Sequence, residues 1–395
     1  MERGPNMGRP LGFGWNHRTV IIRKENFMQT IPKTMTGAYL PGNSTVKFKE
    51  YKIPELGHGE VLIKTKSSTI CGSDIRCIYH EHLGKGPEGY QKEMIAGHEP
   101  SGQIVATGPG MRRFKTGDRV VLYHISGCGM CNDCRRGYMI SCTSEQYRKA
   151  YGWQRNGGMA PYMVAEEKDC VLLPGELSYS DGAQVACGFG TIYEGLEKIG
   201  IGGNDAVLIT GLGPVGLAAA MLCKAMGASR VIGIEAVDER IEIAKGLELR
   251  KGSGIKLFDT VLKAGPKNVA EVKALTGGMG CEKVVECSAN AKARLTAIQA
   301  ARKWGKIVLI GEGGLMSPDF APSADMIHDQ KTLYGSWVTN LWRMEELVER
   351  IARWDIHPED LITHRFPIEK APEAYALMAS GKCGKVAVCF DEELV

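Results

Sequence analysis

Between Ala206 and Cys223 the chain carries 18 residues without a charge. A run of that length raises the question of a membrane helix. Gly211, Gly213, Pro214 and Gly216 interrupt it, however, and divide it into a buried strand over 206–210, a tight turn and a helix over 215–226. The turn reads Gly211-Leu212-Gly213-Pro214-Val215-Gly216, and Glu235 follows Gly216 by 19 residues at the end of the next apolar run, Val231–Glu235. Taken alone, G-x-G-x-x-G is weak in a chain with 50 glycines. Placed between a strand and a helix it has a mechanism. The glycines let the backbone approach a pyrophosphate, and the helix N-terminus points free N–H groups at it.

On this reading Gly211, Gly213, Pro214, Val215 and Gly216 bind a dinucleotide. Glu235 accepts hydrogen bonds from the adenosine ribose and repels a 2′-phosphate, which favours NAD over NADP. Arg240, five residues further on, flanks the same ribose. The bland alternative is a glycine-rich turn that binds nothing.

The text around this motif changes character along the chain. Residues 1–32 show no periodicity and read as an extension outside the main fold, with Met28 and Met35 as conceivable alternative starts. From Lys33 short strand-like runs at Val46–Lys49, Val61–Lys64 and within Gly102–Val121 alternate with glycine and proline turns, as in a β-rich domain. After about Phe189 strands alternate with helices, with later strands at Val284–Cys287 and Ile307–Ile310 and a helix over Ala291–Lys303 between them. That rhythm predicts α/β architecture with a parallel, doubly wound sheet. From Trp337 onward the pattern gives helices at Arg343–Ile351 and Ala371–Ala379 and a closing strand near Lys385–Phe390.

Thirteen cysteines require a second explanation. Disulfide frameworks belong to short secreted chains, and no export signal is visible here. Cys128, Cys131, Cys134 and Cys142 crowd into fifteen residues, with Gly127, Gly129 and Gly137 between and beside them. Four thiolates at this spacing can surround one zinc ion tetrahedrally, and such closed sites are structural. An iron–sulfur cluster is the rival, although the seven-residue gap before Cys142 and the lack of a following proline depart from the ferredoxin run.

Cys71 in Cys71-Gly72-Ser73-Asp74, His98 in Gly97-His98-Glu99-Pro100 and Cys187 in Ala186-Cys187-Gly188-Phe189-Gly190-Thr191 mean little singly. Together they supply two thiolates and one imidazole, leaving a fourth position for water or substrate, as in catalytic zinc sites.

Taken in chain order, the Cys71 and His98 motifs, the four-cysteine lobe, the Cys187 motif and the glycine turn resemble the zinc-dependent medium-chain dehydrogenase/reductase family of alcohol, polyol and threonine dehydrogenases, over about residues 33–395. The resemblance implies a GroES-like β-rich catalytic domain split in sequence (33–188 and 337–395) around an inserted Rossmann domain (189–336). It implies Cys71, His98 and Cys187 as catalytic zinc ligands, with Glu99 beside them or as a transient ligand. It also implies that Asp74 orients the histidine, that Ser73 takes the alcohol proton, and that Thr191 stands with the cofactor-binding positions. Where many members carry a relay histidine this chain has Arg76, which does not titrate usefully. His80, His82 or water would have to replace it. Cysteine at 187 suits alcohol dehydrogenases, whereas the phrasing around Cys71 and His98 is closer to the polyol and threonine branch.

A net charge of +4 over 395 residues argues against nucleic-acid or membrane-surface partners. The expectation is a cytoplasmic homo-oligomer, a tetramer rather than a dimer. It would bind NAD, one catalytic and one structural Zn2+, and a small alcohol or ketone, with hydride transfer to or from a secondary alcohol of polyol or sugar type. Two other readings stand beside it. One is an NADP-linked carbonyl or aromatic/primary alcohol reductase; the other is a non-catalytic nucleotide-binding relative that would be expected to lack the catalytic ligands. Cys77, close to the site in sequence, is a candidate for the pocket wall.

Overall fold

The computed structural model describes residues 31–81 and 89–394. The extension up to residue 30, with Met28, lies outside the described residues, as does His82. The described residues from Thr34 onward belong to one compact unit, and everything below concerns them.

Two sheets organise it. One is a six-stranded parallel sheet in the order Thr260–Lys263, Arg230–Glu235, Ala206–Thr210, Cys281–Glu286, Ala301–Leu309, Thr332–Gly335. In chain order that is 3-2-1-4-5-6, so the connections leave the two central strands in opposite directions and open a crevice at their carboxyl ends. Register places Thr210 opposite both Ile234 and Glu286, so Gly211, Ala236 and Cys287 emerge on one edge. The central strands are apolar on both faces because helices cover both: Val207, Leu208, Ile209, Val284 and Val285 are all fully buried.

The other sheet has seven strands and is mostly antiparallel. Its path runs Ile362–Phe366, Lys385–Cys389, Glu60–Thr69, Glu99–Thr107, Arg119–Leu122, Cys170–Leu172, with Tyr162–Glu166 also paired to Glu60–Thr69. The last two strands of the chain thus return to the sheet begun by the first third. The two sheets are those expected of a β-rich, GroES-like domain split in sequence around an inserted, Rossmann-like parallel sheet. No linker separates the halves at Phe189: helix Tyr179–Gln184, a π-helical turn Val185–Phe189 and helix Gly190–Ile199 follow without a break.

Most expected elements stand within a few residues of their predicted limits, and three differences are informative. The helix expected over Ala291–Lys303 stops at Ala300. Residues 301–303 are good helix formers, but Ala301 pairs with Cys281 in the sheet and Arg302 Nη1 binds Glu282 Oε1 at 2.6 Å, so strand pairing overrides local propensity. Thr260–Lys263 and Thr332–Gly335, the two outer strands, carry no apolar run of their own. Among the described residues no helix is long and apolar enough to cross a membrane.

Candidate active site

Each chemical group sits where an element ends or distorts. Cys71 closes strand Glu60–Thr69 and caps the short helix Gly72–Asp74, and its N–H donates to Asp74 Oδ2 at 3.0 Å. His98 and Glu99 open the neighbouring strand. Cys187 sits in the π-helical turn, a local widening that often marks functional positions. One ligand atom each from Cys71, His98, Glu99 and Cys187 lies within 4.8 Å of the others. The two sulfurs are 4.0 Å apart. Tetrahedral zinc with Zn–S of about 2.3 Å calls for about 3.8 Å.

The surroundings complete the fit. His98 Nδ1 donates to Asp74 Oδ1 at 2.7 Å, which leaves Nε2 as the lone-pair nitrogen for a metal. Burial works against charge on His98, but the Asp74 carboxylate outweighs it and raises the imidazole pKa well above its ordinary range. Between the two thiols the negative charge settles on Cys71. The hydrogen bond from Cys187 holds it well below the thiol range, and the same bond, with burial, pushes Cys187 up. Glu99 is fully buried; Lys385 Nζ and Thr69 Oγ1 donate to its Oε2, while Oε1 has no partner. A buried, unpartnered carboxylate oxygen in a ring of two sulfurs and an imidazole is what a nearby cation would satisfy. Burial lifts this carboxyl to about 7.

Cys128, Cys131, Cys134 and Cys142 also bring their sulfurs within 4.8 Å of one another. Backbone N–H groups of Met130 and Cys131 donate to Cys128 Sγ at 3.4 and 3.3 Å, and that of Cys128 to Cys142 Sγ at 3.4 Å. Amide donors of this kind stabilise thiolates: they lower Cys128 and, from Cys134 and Thr143, bring Cys131 to about 6. A Cβ on Gly127 would stand 2.6 Å from Cys134 Sγ, and Gly129 and Gly137 have φ of +71° and +84°. The glycines are therefore part of the cradle.

A third grouping, Asp181, His357 and Glu359, has its carboxylate already committed. Asp181 accepts from the backbone N–H of Ser178 and Glu359 and from His357 Nδ1 at 2.9–3.0 Å, which makes it a structural cap.

The glycine motif forms the floor of a cavity of about 420 Å³. Gly211 has φ +83°, and a Cβ there would meet Ser288 Cβ at 2.7 Å; one on Gly216 would lie 1.9 Å from the Gly211 carbonyl. Pro214 occupies the first helical turn. Glu235 Oε2 accepts from Leu212 N at 2.7 Å and Oε1 from Ala236 and Val237 N at 2.6 and 2.9 Å, so its carboxylate is anchored at the crevice edge. Arg240 Nη1 is 3.9 Å from Glu235 Oε2, and its Nε is buried without a hydrogen-bond partner.

A second cavity, about 480 Å³, contains Ser73, His98, Cys187 and Thr191. Thr191 thus lies at the metal-side end and not beside Glu235. Cys71, Gly72, Gly188, Val215, Cys287 and Ser288 line both cavities, so the two meet at the thiolate cluster. Cys77 and Arg76 line the second cavity, as does His124, which sequence reasoning passed over. His124 Nδ1 donates to the Ala186 carbonyl at 2.8 Å, and burial together with the charge of His98 brings its pKa down to about 3, so it stays neutral. Nothing local in Tyr123-His124 signals this placement. His80 is exposed and bonded to Ser44 Oγ at 2.9 Å, away from both cavities.

Comparison with known proteins agrees with this geometry. Residues 57–175 match the alcohol dehydrogenase GroES-like domain and residues 214–353 the zinc-binding dehydrogenase domain. The chain belongs to the zinc-type alcohol dehydrogenase family, the zinc-dependent, NAD(P)-linked medium-chain dehydrogenases. Within it, the chain is 50% identical over 363 residues (91% of this chain, all of the relative) to YphC of Escherichia coli K12, an uncharacterized zinc-type alcohol dehydrogenase-like protein. It is 30% identical to L-threonine 3-dehydrogenase of Shewanella putrefaciens (86% of this chain, 94% of the relative) and to D-arabitol-phosphate dehydrogenase of Enterococcus avium (90% and 97%). A solved alcohol dehydrogenase from E. coli CFT073, complexed with NADH, superposes with a TM-score of 0.77 at 25% identity, covering 91% of this chain and 100% of that one.

Proposed function

We propose that this chain transfers hydride between NAD(H) and a secondary alcohol or its ketone, with a polyol or sugar-derived alcohol as substrate. The observation that carries the reading is the meeting of the nucleotide cavity and the metal-ligand cavity along six shared residues. Cys71, His98 and Cys187 would hold the catalytic zinc, with Glu99 in reach as a further ligand. Cys128, Cys131, Cys134 and Cys142 would hold the structural one. The bound zinc supplies a Lewis acid toward the alcohol oxygen and the bound NAD supplies the hydride acceptor.

The chain's own side chains do the rest. Asp74 fixes the His98 tautomer and, through the Cys71 N–H, the position of the first thiolate. Ser73, on the wall of the substrate cavity, takes the alcohol proton and passes it on. Arg76 cannot accept it and His80 faces elsewhere, so among the described residues none carries it further and Ser73 hands it to solvent water. Glu235, anchored at the crevice edge, receives the ribose hydroxyls and disfavours a 2′-phosphate; Arg240 closes over the glycine turn. Trp153, Trp337, Ile125 and Ile140 line the cavity and limit water around the reacting carbon.

A polyhydroxylated substrate is supported by the polyol-phosphate relative and by the charged groups on an otherwise apolar wall. An assembly of copies, a tetramer in our reading, is supported by Trp304 (70% exposed), Ile327 (65%) and Leu333 (36%) near the outer strand Thr332–Gly335. The test is initial-rate NAD and NADP reduction by zinc-loaded protein over polyols, amino alcohols and simple alcohols, with Cys71→Ser as control. NAD-linked turnover lost in that variant supports the assignment. Preference for NADP, or turnover that survives in Cys71→Ser, overturns it.

A further inference from the structure

Arg76 occupies the relay position, and the structure gives it a partner from the other sheet's domain. Its Nη2 lies 2.7 Å from Glu312 Oε2. Glu312 belongs to the loop after strand Ala301–Leu309, and both residues line the substrate-side cavity. The ion pair spans from the π-helical turn Ile75–Tyr79 to the carboxyl edge of the parallel sheet. Arg76 lies across Gly313, whose missing Cβ would stand 3.5 Å from Nη1, and Gly313 has φ +86°. The loop is itself held. Arg294, buried in helix Ala291–Ala300, donates to the carbonyls of Gly311, Gly313, Gly314 and Leu315, on both sides of Glu312.

One detail of the pair's geometry leaves room for a further acceptor. Arg76 Nη2 is buried and, although charge-paired, has no acceptor in hydrogen-bonding geometry. Three other polar side chains of the cavity already have partners: His98 on Asp74, His124 on the Ala186 carbonyl, and Arg148 Nε on the Ile140 carbonyl. Around them the wall is apolar: Ile125, Ile140, Trp153, Trp337 and Val338. A few placed polar groups in an apolar cavity set substrate orientation. A hydroxyl is both donor and acceptor, so one hydroxyl can accept from Arg76 and donate to Glu312 at the same time. An alkanol of equal length makes neither contact and leaves the two groups to each other and to the water that reaches them, their side chains being 41% and 49% exposed.

We infer that the Arg76–Glu312 pair is the specificity element of this cavity, binding a hydroxyl on a carbon beyond the one that is oxidised. The inference rests on the alcohol-dehydrogenase reading above and narrows its substrate to polyhydroxylated chains. Arg294 acts through the loop, as a positioning residue.

The test compares xylitol with 2-pentanol, five-carbon chains that differ in hydroxyls, using the full-length, zinc-loaded protein and NAD. In Arg76→Met and in Glu312→Ala the ratio of kcat/KM for xylitol to that for 2-pentanol is expected to fall about three- to tenfold, through KM and not kcat. The double variant should fall no further than either single one, because the pair acts as a unit. In parallel, titration of the cofactor-free protein with xylitol, followed by the fluorescence of Trp153 and Trp337, should show weaker binding in both variants. Equal losses for both alcohols, or no change in the ratio, overturn the inference. Should the wild type turn over neither alcohol, the dehydrogenase assignment for these substrates fails, and the fluorescence titration still decides. Xylitol binding that weakens in the variants supports the pair as a hydroxyl site; binding that is absent or unaffected overturns it.

Discussion

Replacing Arg294 by methionine keeps an unbranched stem about as far as Nε and removes the charge and all its donors. In the native fold the guanidinium is fully used. Nη2 donates to Gly311 and Gly313 at 2.7 Å each, Nη1 to Gly314 and Leu315 at 3.1 and 3.3 Å, and Nε faces Glu286 Oε2 at 3.4 Å. Glu286 is fully buried, and its other oxygen accepts from Ser288 N and Ala289 N at 2.7 and 3.0 Å and from the Ser288 hydroxyl at 2.5 Å. Hydrogen bonds from a charged donor contribute about 1.5–3 kcal/mol each when nothing replaces them. Here the carbonyls of Gly313, Gly314 and Leu315 belong to exposed residues and regain water, so their loss is largely offset. Glu286 cannot regain water. Removing one partner of a buried pair costs about 3–5 kcal/mol, and the three remaining donors on Glu286 place this case at the low end, about 3 kcal/mol. That is about a hundredfold in a local opening equilibrium. The assay is amide hydrogen exchange at Ile310 and Gly311, both of which donate to the Glu286 carbonyl at 2.9 Å. Exchange there should accelerate about a hundredfold in Arg294→Met and by less in Arg294→Lys, whose three donors recover part of the set. The xylitol preference should fall with it, because Glu312 rides on the loop. An acceleration below about threefold would show that the loop is held by something other than Arg294.

Four further outcomes follow from the same geometry. Asp74→Asn should lower zinc affinity at the Cys71 cluster about 10- to 100-fold, read by competition with a chromophoric chelator, and unchanged affinity would remove Asp74 from the metal's support. Cys134→Ser should lower metal content by about one zinc per chain and lower Tm; retention of both ions in metal analysis refutes the four-thiolate assignment. Glu235→Ala should raise the Kd for NAD about tenfold with no matching loss for NADP, and parallel losses in calorimetric titrations would assign Glu235 to the turn alone. His357→Gln tests a pH linkage: burial opposes charge on His357, but Asp181 at 2.9 Å outweighs it and raises the folded-state pKa. A raised histidine stabilises fully below the unfolded value of about 6.5 and ceases to as pH climbs through the folded value. The Tm gap between wild type and variant should therefore shrink from pH 6 to pH 9, and a gap that widens refutes the sign.

What could be read from the chain beforehand was whatever its chemistry writes locally. Gly211 to Gly216 followed by Glu235 is a strand, turn, helix and next strand within about thirty residues, and each residue type has a steric or electrostatic reason visible in the text. The four cysteines of the zinc lobe are likewise a local spacing. Cys71, His98 and Cys187 already required a resemblance, because the thiolates are 116 residues apart and only the pairing of two strands with a π-helical turn brings them together. Beyond that reach the text is silent. Lys385 finds Glu99 across 286 residues of chain because its strand inserts beside Glu60–Thr69, and no pattern near either residue announces the pair. His124 looks like any core histidine until its neighbours are known. The Arg76–Glu312 pair is the most telling case. Arg76 read in isolation is only the loss of a relay histidine, and Glu312 read in isolation is a charge in a glycine loop. Their meaning lies in the relation between two domains folded from distant segments, where a guanidinium that cannot carry a proton gains a carboxylate and, with it, a site for a hydroxyl.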